Sequence, residues 1–523
     1  MMKALSRRQF VQVTSAGVLV AGCGDDPLPR AVIDTTDTVT PPDTTPLDTA
    51  SPDTAMPLDT TPEASPEVDA TAEVEVDTGP TPIGSFDPNA LAVAARNSFL
   101  YGTQAGDPNS EGAVLWTCFK PTETGHTLDL LVFEYATNDS AGALYLRVPA
   151  TIAEGGFVHV VVSGLSPDTR YRYCFVVVEA EDGTPEDEAR SPIGHFRTAL
   201  APDALRVVTF GGTSCVNAGY QPYRTLNRAA EADLDFFVLA GDTTYCDGAR
   251  TLAEYREKWR RSFDSDGYRA LLGNVGTYAT WDDHEIDDDW NPETIEPEHL
   301  ATARRTYLDH IAYRLQTDAD PLVDWRLWRS YRWGKTLEVF MLDCRSERLP
   351  STRHQANAQY ISPAQMNWLK LGLRRSPCTF KLIVNSVPIT NMPVGYPIEK
   401  DRWEGYETQR TEILGHIDGP PLLPGVLWLS GDFHFGCIAM VEGPGKRFSN
   451  QWEVFMGQGA NMSNPAWEAL RDTAADQLPF ITGTNNYVRF VCDPFASPPR
   501  ITAQFIDGDG IVLTTRDFDF PST

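Results

Sequence analysis

From Gly24 to Gly84 the chain has no aromatic residue and a single basic one, Arg30, against 14 acids. So little apolar bulk cannot offset the entropy of ordering the backbone, which excludes a folded domain there. A loose Pro-Leu-Asp-Thr refrain, at Pro46 to Thr49 and Pro57 to Thr60, predicts a solvated tether over 24–84, extended by proline and by its own charge. Basic charge is scarce throughout: 43 Lys and Arg face 72 Asp and Glu, and the net charge is −29. The tether accounts for −13 of it, so the remainder is acidic as well. That argues against a nucleic acid held through its phosphates, and no nucleic-acid-binding module is expected. No apolar run approaches the roughly 20 residues that span a bilayer. Eight cysteines follow Cys23 at wide, irregular spacings, which does not suggest a disulfide framework. Cys118, Cys174, Cys344, Cys378 and Cys492 read as structural, and His354 and His416, near loop-forming residues, as surface residues.

The first residues read as an address. Lys3 and the pair Arg7-Arg8 precede a weakly apolar stretch from Val11 to Gly22, which stops at Val20-Ala21-Gly22-Cys23. This is the pattern of a twin-arginine signal ending in a lipoprotein cleavage site. Residues 1–23 are therefore expected to direct export, with Cys23 carrying a lipid anchor. The mature chain would be periplasmic or at the cell surface. Twin-arginine export usually carries folded proteins, and a cofactor inserted before export would explain its use.

Two globular parts are predicted. Over 85–201, short alternating runs such as Ala113 to Cys118, Leu128 to Tyr135 and Tyr171 to Val178 are broken by Gly, Pro, Asn and Asp. They predict an all-β sandwich, and Leu165-Ser-Pro-Asp-Thr-Arg-Tyr171-Arg-Tyr173 resembles the strand entry of fibronectin type III domains, with Tyr171 or Tyr173 as a corner tyrosine. Over 204–515 the rhythm becomes α/β: apolar strands end in polar, metal-competent residues, with helical stretches between. Arg206 to Phe210 runs into Ser214-Cys215, Phe236 to Ala240 into Gly241-Asp242-Thr-Thr-Tyr245, and Thr277 to Thr280 into Trp281-Asp282-Asp283-His284-Glu285. Leu337 to Leu342 ends in Asp343-Cys-Arg345, Phe380 to Val384 in Asn385, and Gly425 to Leu429 in Ser430-Gly-Asp432-Phe-His434. Ligands of open α/β folds sit beyond the carboxyl ends of strands, where several loops converge. Six strands bringing Cys, Asp, Tyr, His and Asn to that end predict a site.

Phosphate-ester hydrolysis needs a strong nucleophile and neutralisation of the phosphoryl oxygens. Two cations about 3.5–4 Å apart supply both. A bridging ligand must offer two anionic oxygens, and Asp242 on its Gly-Asp turn is the natural choice. At this point the motif succession resembles the PhoD-like alkaline phosphatase and phosphodiesterase family, within the calcineurin-like metallophosphoesterases. The resemblance runs from Phe99-Leu-Tyr-Gly and Val114-Leu-Trp-Thr, through the strand ends above, to Asp343-x-Arg345-x-x-Arg348, Gln365-x-x-Trp368-Leu369, Trp403-x-Gly405-Tyr406 and Gly431-Asp432-x-His434.

The resemblance implies a four-layer α/β metallophosphoesterase sandwich behind the β domain, acting as a phosphoric ester hydrolase on small-molecule mono- or diesters through a metal-activated hydroxide. It implies a ferric ion with calcium, another divalent pair being the alternative. Cys215 and Tyr245 would ligate iron, Asp242 would bridge, and Asp432 and His434 would complete the shell. Asp282 and Asp283 would serve calcium. His284 would support the transition state or protonate the leaving oxygen, Asn385 would contact metal or phosphate, and Arg345 and Arg348 would steady the phosphate or hold the site together. A monomer is expected. Where relatives commonly carry asparagines, this chain reads Asp287-Asp288-Asp289, so Asp288 or Asp289 would put charge in place of a neutral ligand. A second reading is a surface lipoprotein that binds or adheres on a weakened catalytic fold. A third, a dizinc or dimanganese site, fits the Cys and Tyr ligands less well.

Overall fold

The computed structural model describes residues 80–121, 125–181, 184–314, 326–393 and 401–521. The expected leader, Cys23 and the tether as far as residue 79 lie outside the described residues. No helix among those described is long and apolar enough to cross a membrane.

The N-terminal segment is all-β. Strand Thr127–Glu134 lies between Gly142–Ala150 and Arg170–Glu181 in a seven-stranded sheet. Its period-2 alternation sends Leu128, Leu130 and Val132 into one apolar cluster and Leu131 and Phe133 into another. The Tyr171 hydroxyl accepts a hydrogen bond from Ser166 N at 3.0 Å, tying the strand to the chain five residues upstream.

Two further sheets share one core. In the first, Val208–Val216, Phe236–Ala240 and Thr277–Thr280 run parallel, with antiparallel Asn486–Asp493 outside Val208–Val216. In the second, Leu337–Met341, Phe380–Asn385, Val426–Ser430 and Trp452–Met456 run parallel. Alternate residues of both sheets, among them Phe210, Phe236, Val238, Val339, Leu382 and Leu429, form a single buried cluster. Each such side chain contributes about 1.5–3 kcal/mol on burial. The opposite faces meet helices. Phe237, Leu239 and Ala279 pack with Leu226 of Arg224–Ala230, Trp259 of Leu252–Phe263 and Tyr307 of Pro297–His310. Phe340, Ile383 and Trp428 pack with Leu369 of Pro363–Arg375 and Leu414 of Glu407–Asp418. Helix Leu252–Phe263 shows why these segments are helical: Thr251 and Glu254 close a capping box, and Tyr255, Trp259, Ser262 and Phe263 fall on one buried face. Parallel register brings the carboxyl ends of the central strands to one edge of each sheet, Ala240 opposite Thr280 and Asn385 opposite Ser430.

The change of rhythm near residue 201 does not separate the sheets. Strand Phe99–Asn109 pairs in parallel with Thr277–Thr280 at Gly106, and Gly112–Phe119 and Phe157–Val161 extend the same sheet beyond it. Only glycine fits at 106, because a Cβ there would lie 1.8 Å from the Ala312 carbonyl oxygen. Next to it, buried Asp107 pairs with buried Arg329 at 3.2 Å and accepts Arg314 N at 2.8 Å. Removing one partner of such a pair leaves the other charge buried and uncompensated. Arg329→Met is therefore expected to lower the unfolding free energy in urea by about 3–5 kcal/mol, with Asp107→Asn added to it restoring part of the loss.

Candidate active site

The strand ends converge through strained turns. Nine non-glycine residues among those described have positive φ, and they include Cys215 (54°), Asp242 (54°), Asp432 (65°) and His434 (54°). Such conformations cost about 1–3 kcal/mol each and persist where the surroundings over-determine them. Gly241, at φ 95°, passes close enough to the Asp282 side chain that a Cβ would lie 2.7 Å from it. The buried Glu285 carboxylate fixes the two turns to each other. It accepts Asp242 N at 3.2 Å, Thr243 N at 2.6 Å, the Thr243 hydroxyl at 2.8 Å and Asp282 N at 2.9 Å. Burial raises its pKa to about 7 in spite of these bonds.

Three groups of metal-competent atoms result, each with its donor atoms within 4.8 Å of one another: Cys215 with Asp242 and His434, Asp242 with Asp283 and His284, and Asp282 with Asp283 and Asp432. Asp242 belongs to the first two. Tyr245 joins the first group, with its hydroxyl 3.1 Å from Asp242 Oδ2 and 3.0 Å from His434 Nε2. Asn461 Nδ2 donates to that hydroxyl at 2.6 Å. Asp432 belongs to the third group, with Asp282 and Asp283. Asp242 Oδ1 is buried and accepts no hydrogen bond, which is costly for a carboxylate unless a cation faces it, and Asp283 Oδ1 accepts none either, with the Arg345 guanidinium 3.6 Å away. Burial, and then neighbouring negative charge, pushes the thiol of Cys215, the phenol of Tyr245 and the carboxyls of Asp242 and Asp432 above their ordinary ranges. Bound cations would reverse those shifts, since a metal deprotonates the thiol it coordinates. The donor set, thiolate, phenolate, imidazole and a shared carboxylate, fits such ions.

Arg345 is fully buried, with Nε 2.6 Å and Nη2 3.0 Å from the two oxygens of Asp282, and Nη1 2.9 Å from Asp401. Ser386 also donates to Asp282, at 2.9 Å. The structure thus places Arg345 among carboxylates, away from solvent, and occupies Asp282 with hydrogen-bond donors. Arg348 is likewise buried on backbone carbonyls, those of Asp401 and Trp290. Asn385 Oδ1 accepts Trp403 Nε1 at 3.0 Å and the Cys344 thiol at 2.9 Å, leaving Nδ2 as its spare donor. His354, expected at the surface, is exposed and shares the positive φ of the site residues, at 63°.

His284 packs on Tyr245, with ring centroids 4.1 Å apart and the planes tilted by 32°, and its Nδ1 lies 2.7 Å from Asp247 Oδ1. Burial alone would lower its pKa, but Asp242, Asp283 and Asp247 outweigh burial and raise it to about 11. The Asp247 contact orients the ring and favours its protonated form, as a leaving-group acid requires. Sequence reasoning missed Asp247, Asp401, Asn461 and the role of Glu285. The spacing of Asp247, five residues after Asp242, was the one available signal. Asp247→Asn is expected to lower kcat by about 10- to 100-fold with KM little changed, part of the roughly 10²- to 10⁴-fold that a positioned proton donor supplies. Glu285→Ala is expected to weaken metal retention by about 10- to 100-fold, read by metal analysis after dialysis against graded chelator.

Two sheets around one core, with metal-competent residues at their strand ends, define a metallophosphoesterase-like α/β protein. The chain belongs to the PhoD-like phosphatase family: that family's model matches residues 208–491, and the model of the PhoD-like phosphatase N-terminal domain matches residues 87–200. It is a phosphoric ester hydrolase. Among curated relatives, alkaline phosphatase D of Bacillus subtilis (strain 168) is 24% identical over 401 residues, 67% of each chain. Among solved structures, that of PhoD covers 81% of this chain and 89% of its own at 20% identity, with a TM-score of 0.67. A purple acid phosphatase, PPD1 from yellow lupin (Lupinus luteus) seeds, covers 81% of this chain and 74% of its own at 12% identity, with a TM-score of 0.57.

Proposed function

We propose that the chain is an extracytoplasmic, metal-dependent phosphatase or phosphodiesterase whose centre takes a ferric ion and calcium. The observation that carries this reading is the membership of Asp242 in two donor groups at once, the position of a bridging carboxylate. Cys215, Tyr245 and His434 would hold the iron with Asp242, and Asp283 the calcium, with Asp432 and Asp282 beside it. When bound, such a pair activates water as the nucleophile and neutralises the phosphoryl oxygens.

The protein's own groups supply the rest. His284, oriented by Asp247, gives its proton to the departing oxygen. Asn385 Nδ2 is the spare donor for a phosphate oxygen. Arg345 acts through the carboxylates it holds. Cys215 and Asp242 are buried, whereas the side chains of His434 and Asp432 are 27% and 21% exposed, so substrate is read as approaching from that side. Export by the twin-arginine route, a lipid on Cys23 and a monomeric state belong to this proposal on the strength of the sequence. So do a fibronectin III-like N-terminal domain, for which the Tyr171 contact speaks, and a four-layer catalytic sandwich, for which the helix–sheet–sheet–helix order of the apolar clusters speaks.

Protein purified without chelator should be coloured by thiolate- and phenolate-to-iron charge transfer, contain iron and calcium, and hydrolyse nitrophenyl or bis-nitrophenyl phosphate. Cys215→Ser and Asp242→Ala should each lose iron and activity together. A colourless, iron-free protein that still turned over either substrate would refute the Cys215 and Tyr245 assignment, and full activity in either variant would remove that residue from the site.

A further inference from the structure

A fourth group of metal-competent atoms lies in the N-terminal sheet. His126, Glu179 and Glu188 place their donor atoms within 4.8 Å of one another, and the sheet's topology explains how. His126 immediately precedes strand Thr127–Glu134, one residue beyond the pair Thr127↔Val178, so it adjoins Glu179 of Arg170–Glu181. Glu188 sits in Thr184–Arg190 where the register slips: Val177 pairs with Ala189 and Val178 with Asp187, leaving Glu188 as the extra residue. A bulge of this kind re-aims a side chain that regular alternation would send elsewhere. Three neighbouring strands thus deliver one imidazole and two carboxylates to one spot.

The donor set gathered at that spot is one a divalent cation can take. The His126 side chain is 3% exposed, and its Nε2 lies 3.2 Å from Glu188 Oε2, while Nδ1 has no hydrogen-bond partner. A buried ring has therefore one polar contact for two nitrogens, and that contact is a carboxylate. The nearby basic side chain Arg147 is already engaged by Asp129 and Asp187. Among the described residues no Lys or Arg forms an ion pair with Glu179 or Glu188. The geometry suits a small ion with mixed nitrogen and oxygen preference. Zinc bonds of about 2.0–2.2 Å in a tetrahedron hold adjacent ligand atoms about 3.3–3.5 Å apart, close to the 3.2 Å observed between His126 and Glu188. Glu188, 51% exposed, has room to adjust, and water would complete the shell. Calcium, which takes six to eight oxygens and no imidazole, suits the set poorly.

We propose that His126, Glu179 and Glu188 form a divalent-cation site of zinc type, which ties together three strands of the N-terminal sheet and takes no part in phosphate-ester chemistry. The test uses the full-length protein, equilibrated with zinc and analysed for metal after gel filtration, with cobalt as a spectroscopic substitute. Wild-type protein should retain one equivalent of zinc more than either His126→Ala or Glu188→Gln, and should show a tetrahedral cobalt absorption that both variants lack. Zinc should raise the Tm of the wild type by more than that of either variant, while iron and calcium content and phosphoesterase activity stay the same in all three proteins. Zinc taken up at the catalytic centre is common to all three and cancels in the comparison. Glu188→Gln alters a half-exposed carboxylate and so preserves the test if His126→Ala fails to fold. Equal zinc retention and an equal Tm response in the wild type and Glu188→Gln would overturn the proposal, leaving a simple His–Glu hydrogen bond at this place.

Discussion

One buried guanidinium organises the catalytic end of the molecule. Arg345 leaves the Leu337–Met341 strand and lies within 4 Å of carboxylates from three other segments: Asp282 and Asp283 after Thr277–Thr280, Asp432 after Val426–Ser430, and Asp401. One positive charge cannot balance four negative ones. Two like charges 4 Å apart repel by about 4 kcal/mol at an effective dielectric constant of 20, so several such pairs rival the whole net stability of a domain. Arg345 fixes where the carboxylates stand, and the charge it leaves over is what bound cations would neutralise. Geometry and affinity are thereby separated: the arginine holds the shape, and Asp242, whose Oδ1 accepts no hydrogen bond, is shared by two groups of metal-competent donors.

The backbone carries a second load at the same place. Cys215, Asp242, Asp432 and His434 adopt left-handed conformations, and their combined strain is tolerable only because the strands before them are anchored. Those strands share the apolar core between the two sheets, and Glu285 pins the turn at Asp242 to the turn at Asp282. Strain at the loops and burial beneath them are one design: a floor of parallel strands fixes the starting points, and hydrogen bonds to carboxylates fix the exits.

How much of this could be read from the sequence follows from the range of the interactions. Apolar runs ending in Asp242, Asp283 or Asp432 are local signals, so the strands, their polarity and the gathering of their ends were legible. Arg345 was ambiguous, since a guanidinium binds phosphate and carboxylate equally well and only its burial distinguishes the two. Glu285 was visible as part of a motif, but its role depends on a turn 43 residues away. Asn461 and Asp401 lie on irregular loops where periodicity carries no information. The joining of Phe99–Asn109 to the catalytic sheet depends on one parallel pairing at Gly106 and on a close approach to Ala312, neither of which leaves a pattern in the chain.

The acidic run after His284 shows how one short segment divides its work. Asp287 pairs with Arg250 and accepts Gly248 N. Asp288 uses its backbone N–H on Asp247, the residue that orients His284, while its carboxylate lies 3.7 Å from His284 Nε2. Asp289, at φ 52°, donates its N–H to Asp283 Oδ2 at 2.7 Å. The backbone contacts would survive in an asparagine, so what the carboxyls add is charge. Burial, then Asp401 and Asp283, raises the Asp289 carboxyl to about 6, and four carboxylates stand within 4 Å of the single guanidinium of Arg345. Cations bound there would reverse the field that such a pocket presents to an anionic ester, so in this chain the metals that would activate water would also admit the substrate.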